Sequence, residues 1–387
     1  AKLQKLFKKL CFKILNFRYK TNYATNLTMN PNIQKFILVF ALAFVLAWIF
    51  SKAVIYLAHK FNILDHPSDD RKIHRQPTPL LGGLAIYMAF LLTVLILWQG
   101  NLLLDGRVDI SLIGWFLLGG FILMVNGYLD DKYSLAPYIT ILGPILASLV
   151  VIWGGLKIAY ITNPGGGILY LDNLFVWDFV PILITFLWIM GITYTTKLLD
   201  GIDGLASSIG LIASLVIFIV SLAWDVDGSS TSLLSLAFAG AILGFLIFNW
   251  HPAKIFLGEG GSTLIGFSLG VLSIISGSKI ATALLVMGLP VLDIFWVIIR
   301  RLKKRQAFWR GDQEHLHFRM LRGGFSQKQI VFFLSLVSLS FGVVSIFFTT
   351  KIKITALIIV LVLMFMLSTW LNYRLSATGG VNKENDA

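Results

Sequence analysis

Apolar runs of roughly twenty residues recur eleven times along this chain, and that is the length a helix needs to cross the hydrocarbon core of a bilayer. They fall near 36–58, 80–98, 111–128, 138–153, 179–197, 205–224, 232–249, 262–277, 280–299, 329–349 and 354–372. In hydrocarbon a backbone must satisfy its own hydrogen bonds, so such runs predict membrane-spanning helices. Composition agrees. Of 387 residues 57% are hydrophobic and 13% charged, and the mean hydropathy of +0.81 exceeds that of soluble domains. The fold class expected is an all-α polytopic integral membrane protein with about eleven transmembrane helices. One outer loop, 154–177, breaks the helical pattern: LKIAYI and ILYL flank the turn NPGGG, which reads as a small β-hairpin.

Charge then orients the chain. There are 32 Lys and Arg against 19 Asp and Glu, a formal net charge of +13. In so apolar a chain this charge belongs to loops and tails, where it favours anionic head groups or phosphorylated substrates; nucleic acid is not expected as a partner. The loops sharing one side (59–79, 126–137, 191–204, 250–263, 300–328 and the C-terminal tail) carry eighteen Lys and Arg. The opposite set holds Arg107, Lys157, Lys279, Lys351 and Lys353. The positive-inside rule makes the first set cytoplasmic, with the N-terminus outside and the C-terminus in the cytoplasm. The seven basic residues of 1–28 then fall on the outer side, against the rule. Met29 makes a natural start, and residues 1–28 read as a basic extension without a chemical role, either disordered or foreign to the native protein. Residues 29–375 read as one transmembrane domain and 376–387 as a cytoplasmic tail. The single cysteine, Cys11, excludes an internal disulfide and a cysteine metal cluster.

Acidic side chains are costly near a bilayer unless paired, metal-bound or wet, so each one here is a functional candidate. Asp200 and Asp203 lie in TYTTKLLDGIDGLA, residues 193–206, three residues apart and on one helical face. Asp130 and Asp131 are adjacent at the end of the third run, in NGYLDDKYSL, where two ionised carboxylates call for a cation. Glu259 sits in the glycine-rich turn of FNWHPAKIFLGEGGST, residues 248–263, where backbone N–H groups at a helix start favour an anion such as a diphosphate. Arg71, Lys72, His74 and Arg75 form a cationic strip in DDRKIHRQPTPLLGG, residues 69–83, suited either to phosphate or to setting orientation. His315 and His317, in GDQEHLHFRML, read as metal ligands or as neutral donors to a phosphate or sugar. All these groups fall on cytoplasmic ends or loops, so a cytosolic substrate is expected.

These five segments, in this order, resemble the polyprenyl-phosphate N-acetylhexosamine-1-phosphate transferase family, integral membrane enzymes that start bacterial peptidoglycan, O-antigen (lipopolysaccharide) and teichoic acid lipid intermediates. The likeness rests on RKIH with the following P-x-P and Gly-Gly, the Asp130 pair, D-G-I-D-G at Asp200, FNxxPAKIF before Glu259, and the H-x-H loop. It spans roughly residues 36–372 and is nearer the branch that uses UDP-N-acetylglucosamine than the muramoyl-pentapeptide branch. It implies a Mg²⁺-dependent enzyme, Mn²⁺ being an alternative, in the bacterial inner membrane with its active site facing the cytoplasm. Sugar 1-phosphate would pass from a UDP-sugar to undecaprenyl phosphate, releasing UMP.

By resemblance the catalytic residues are Asp130, Asp131, Asp200 and Asp203; the metal ligands Asp131, Asp200 and Glu259; and the substrate-binding residues Arg71, Lys72, His74, Lys132, Asn249, Phe256, His315, His317 and Arg319. A homodimer is left open. The chain departs from the family pattern at Tyr194 and Lys197, where asparagines are usual, at Glu259, where aspartate is usual, and at Phe318, where a third histidine is usual. Lys197 sits one turn before Asp200, within reach of that carboxylate, where an ammonium would compete with a divalent ion. An inactive relative that still binds lipid phosphate or a partner, and a transporter built on buried carboxylates, are the alternative readings.

Overall fold

A computed structural model describes residues 31–67, 76–103, 108–162, 167–171, 179–224, 229–277, 280–303, 315–348 and 350–384. In chain order these form α1 (Pro31–Lys60), β1 (Leu64–Asp65), β2 (Thr78–Pro79), α2 (Gly82–Gln99), α3 (Ile110–Tyr133), α4 (Pro137–Thr140) and α5 (Leu142–Trp153). They continue with β3 (Tyr160–Thr162), β4 (Ile168–Tyr170), α6 (Phe179–Leu199), α7 (Leu205–Trp224), α8 (Ser230–Asn249) and α9 (Gly258–Ile275). The chain ends in α10 (Ile280–Val286), α11 (Gly288–Lys303), α12 (Leu316–Arg322), α13 (Gln327–Phe347) and α14 (Thr350–Glu384). The architecture is all-α and membrane-spanning, as expected, and the antiparallel β3–β4 hairpin forms where the alternating loop predicted it.

Every apolar run becomes helix, but the count of eleven spans is not reproduced. Among the described residues nine helices are long and apolar enough to cross a membrane, or ten if α10 and α11 count as one bent span. The 138–153 run is divided into α4 and the twelve-residue α5, too short to span. Pro137 and Pro144 supply no amide donor, which favours helix starts at this point. The 280–299 run is bent by 75° between α10 and α11. Pro290 lacks an N–H, and its ring crowds the carbonyl four residues earlier, at Val286, where α10 stops.

α8 and α9 form the interior. α8 is buried along nearly its whole length and packs on α1 and α7, while α9 packs on α3, α6 and α2. The core is continuous through Phe90, Phe116, Phe238 and Phe267, whose rings meet edge to face or tilted. Close approach at one end of α9 decides the site. A Cβ at Gly83 would collide with the Gly261 backbone, and one at Gly127 with the Gly260 backbone, so α2 and α3 can both reach the first turn of α9 only as glycine meets glycine. That crossing carries Asp131, one turn beyond Gly127, up to Glu259.

A candidate phosphate-transfer site at one end of the bundle

Three loops are stitched together at this end. β1 pairs antiparallel with β2, Leu64 opposite Pro79 and Asp65 opposite Thr78. The strand of β2 continues into the 250s segment: Phe256 N–H donates to Pro79 O at 2.9 Å, and Gly82 N–H donates to Phe256 O at 3.0 Å. Phe256 is thereby fixed on a wall of a cavity of about 920 Å³, shared with Asp200, Gly201, Asp203, Asn249 and Phe318. Asn249 shapes this wall from within, accepting from Ser207 Oγ at 2.9 Å and donating to Ile255 O at 3.0 Å.

The acids gather here with different partners. Asp130 accepts from Thr140 Oγ1 at 3.1 Å. Asp131 Oδ1 accepts from the Glu259 N–H at 3.0 Å, while its Oδ2 is buried with no hydrogen-bond partner among the described residues. Gly258 has φ +70, and a side chain there would strike Asp131, so glycine answers both the backbone conformation and the carboxylate. Burial pushes the Asp200 carboxyl up to about 8, and the negative fields of Asp131, Glu259 and Asp203 add to the rise. Asp203 is tethered: Oδ2 lies 2.7 Å from His251 Nδ1 and accepts the Ala253 N–H at 3.1 Å, while its own N–H donates to Gln327 Oε1 at 3.1 Å.

Lys197 has a partner the sequence did not suggest. Its Nζ lies 2.7 Å from Glu259 Oε1, not on Asp200, and 5.4 Å from the centroid of the Tyr194 ring. Tyr194, Lys197 and Glu259 therefore form one contact chain from α6 to the first turn of α9.

Mg²⁺ can be tested against this donor set. Among the described residues no three His, Cys, Asp or Glu side chains converge as a ready metal cage. Two carboxylates do suit the ion: Asp131, with its unpartnered buried oxygen, and Asp200, destabilised in its ionised form by burial and by Asp131 itself. Mg²⁺ is commonly held by one or two carboxylates, with waters and substrate phosphates completing six oxygens. Glu259, the third expected ligand, already has its Oε1 on an ammonium.

The histidine loop lies beside the cavity rather than on it. His315 and His317 are both buried, and their rings stack with centroids 5.8 Å apart. His315 Nδ1 lies 2.9 Å from Asp293 Oδ2, and the Leu316 N–H donates to both oxygens of Asp293 at 3.0 and 3.1 Å. Among the described residues His317 Nε2 has no hydrogen-bond partner, and it faces Gly201 of the Asp200 turn. Burial lowers the His317 ring to about 4, so it is neutral at pH 7. Its neighbour Phe318, 4.3 Å away between ring centroids, is the member of this loop that lines the cavity.

Two other expected substrate ligands point elsewhere. Arg319 is buried and donates to Ser368 Oγ at 2.8 Å and Ser368 O at 2.7 Å, joining α12 to α14. Lys132 is exposed and donates to Tyr128 Oη at 3.1 Å. Arg71, Lys72 and His74 lie outside the described residues. Asp293, His251 and Gln327 were not singled out from sequence; for Asp293 the signal was available, as an acid inside an apolar run.

Residues 113–277 match the model of glycosyl transferase family 4. The chain is 30% identical over 344 residues to a probable undecaprenyl-phosphate N-acetylglucosaminyl 1-phosphate transferase of Bacillus subtilis, covering 87% of this chain and 90% of that protein. The chain belongs to glycosyl transferase family 4. It is likewise 34% identical over 319 residues to a decaprenyl-phosphate N-acetylglucosaminephosphotransferase of Mycolicibacterium smegmatis, covering 76% of this chain and 77% of that one. A phospho-N-acetylmuramoyl-pentapeptide-transferase of Heliobacterium modesticaldum is 30% identical over 278 residues, covering 69% and 83%. The family match takes in Asp130, Asp131, Asp200, Asp203 and Glu259, so the acids gathered at this end of the bundle all lie inside its family-defining segment.

Proposed function

We propose that this family 4 glycosyltransferase passes N-acetylglucosamine 1-phosphate from its UDP derivative to undecaprenyl phosphate and releases UMP, with its site at the cytoplasmic face of a bacterial inner membrane. The observation that carries the reading is the cavity whose wall holds Asp200, Asp203, Phe256 and Gly258, with the Asp131 carboxylate packed directly behind Gly258. The names of the similar proteins support the sugar and the lipid acceptor. The eighteen basic residues on one set of loops support the orientation.

In this reading an oxygen of the lipid phosphate attacks the β-phosphorus of the nucleotide sugar. The bond from that phosphorus to the oxygen bridging to the α-phosphate breaks, and UMP leaves. Asp130 orients the lipid phosphate; Asp131 and Asp200 would hold Mg²⁺, which when bound would neutralise charge on the diphosphate. Phe256 offers a ring face to the uracil, and Asp203 fixes the wall through His251 and Ala253. Positioning is the larger share of such catalysis, which suits a site whose loops are cross-linked by backbone hydrogen bonds.

The test supplies purified protein with Mg²⁺, UDP-N-acetylglucosamine and undecaprenyl phosphate, then measures UMP and the lipid-linked diphosphate sugar. Both products form in equal amounts, and Asp130→Asn abolishes them while its unfolding temperature is unchanged. Full turnover by Asp130→Asn would refute the site assignment. Absence of product from the whole panel of common UDP-sugars would refute transfer.

A further inference from the structure

The ion pair between Lys197 and Glu259 lies among the carboxylates gathered at this end of the bundle. Four acids, Asp131, Asp200, Asp203 and Glu259, influence one another electrostatically across this end of the bundle. Asp203 has His251 and a backbone N–H on Oδ2. Glu259 has Lys197, at 2.7 Å, with the glutamate side chain 9% exposed and the lysine 26%. The ammonium is also placed over the face of Tyr194, at a separation where a ring quadrupole attracts a cation. Two contacts on one ammonium, one to a ring and one to a carboxylate, hold a flexible side chain in a single place.

An ammonium at hydrogen-bond distance from Glu259 Oε1 takes up the lone pair through which that oxygen would bind a metal ion. The Glu259 carboxylate reaches from the first turn of α9 across to α6, while the backbone N–H of the same residue donates to Asp131. Breaking a pair this buried by removing one partner leaves an uncompensated charge. In the absence of the lysine, a divalent cation is the obvious replacement.

We infer that Lys197 is a resident counter-cation of this site: held between Glu259 and the Tyr194 ring, it withdraws Glu259 from metal ligation and leaves a divalent ion to Asp131 and Asp200 alone. Lys197 is a positioning residue in this scheme. The inference rests on the reading of the cavity as a divalent-cation and diphosphate site.

Mn²⁺ serves as the probe, its binding followed by loss of the free-ion electron paramagnetic resonance signal on titration into the purified full-length protein. Lys197→Met tightens Mn²⁺ binding by about tenfold or more, the factor that 1.4 kcal/mol represents. Lys197→Met combined with Glu259→Gln gives most of that gain back, because the new ligand is gone. Glu259→Gln alone, which frees the ammonium beside the remaining carboxylates, does not tighten Mn²⁺ binding, and Lys197→Arg, which keeps both the charge and the pair, leaves the wild-type affinity within about a factor of two. An affinity in Lys197→Met equal to or weaker than wild type overturns the inference, as does saturable binding in none of the variants. Mn²⁺ binding is read without turnover, so an absence of transferase products with this binding pattern intact would count against the proposed function and not against the role of Lys197.

Discussion

Replacing Asp293 with alanine should loosen the whole histidine loop, and the structure sets the size of the effect. One carboxylate there accepts from the His315 ring and from the Leu316 N–H, which it bridges with both oxygens. Asp293, His315 and Leu316 are all buried, so neither donor finds water when the carboxylate is deleted. Each orphaned buried donor costs about 1–3 kcal/mol, and the space left by the side chain adds to this, so a total of about 3–5 kcal/mol is expected. Differential scanning fluorimetry of the detergent-solubilised protein should show a fall of about 5–10 °C for a loss of that size. Asp293→Asn keeps one acceptor oxygen in place and should lose about half as much. UMP release should fall in both, in the same order, because Phe318 and His317 lean on the Asp200 turn. An Asp293→Ala protein that melts within about 1 °C of wild type and turns over normally would refute the claim that this carboxylate positions the loop.

Two glycines on α3 should respond in opposite directions to the same substitution. Gly127→Ala forces a Cβ into the backbone of Gly260 and should destabilise by about 1–3 kcal/mol while displacing Asp131 and lowering turnover; Gly114→Ala meets nothing within 4 Å and should be neutral or stabilising by about 0.4–1 kcal/mol. Paired thermal melts decide it, and equal behaviour of the two variants would contradict the glycine crossing. The pH dependence of stability should carry the signature of His317. Its ring titrates at about 4 in the fold against 6.5 when free, so between those values the unfolded chain binds more protons and stability falls as pH falls. The full difference is on the order of 3 kcal/mol, absent above pH 6.5. His317→Gln should remove this component, and an unaltered acid limb between pH 6.5 and 4 in that variant would refute it.

The helices were legible because membrane spans announce themselves by length and hydropathy alone, and every apolar run duly became helix. Their count was less so: whether 280–299 is one straight span turns on Pro290 and the 75° bend at its start, which a mean hydropathy averages away. The hairpin at Tyr160 was legible from alternation, a signal independent of hydropathy. The acids of the site stood out for an energetic reason, since Asp130, Asp131, Asp200, Asp203 and Glu259 would not be retained in so apolar a chain without partners or ligands.

What sequence left open is direction. H-x-H spacing does not say that His315 faces Asp293, nor that Arg319 turns to Ser368 instead of a phosphate. The i, i+3 spacing of Lys197 and Asp200 suggested a local pair, but the lysine reaches across to Glu259 on another helix, because the glycine crossing of α2 and α3 with α9 fixes where that first turn lies. Asp293 carried the same energetic signal as the other acids and lay unremarked within an apolar run.

The most direct measurement of sugar 1-phosphate transfer is isotope exchange. Labelled UMP is incubated with the purified protein, Mg²⁺ and UDP-N-acetylglucosamine, with and without undecaprenyl phosphate. Reversible transfer to the lipid predicts label in the UDP-sugar only when the lipid phosphate is present. Label appearing equally without the lipid, or failing to appear with any common UDP-sugar, would contradict it.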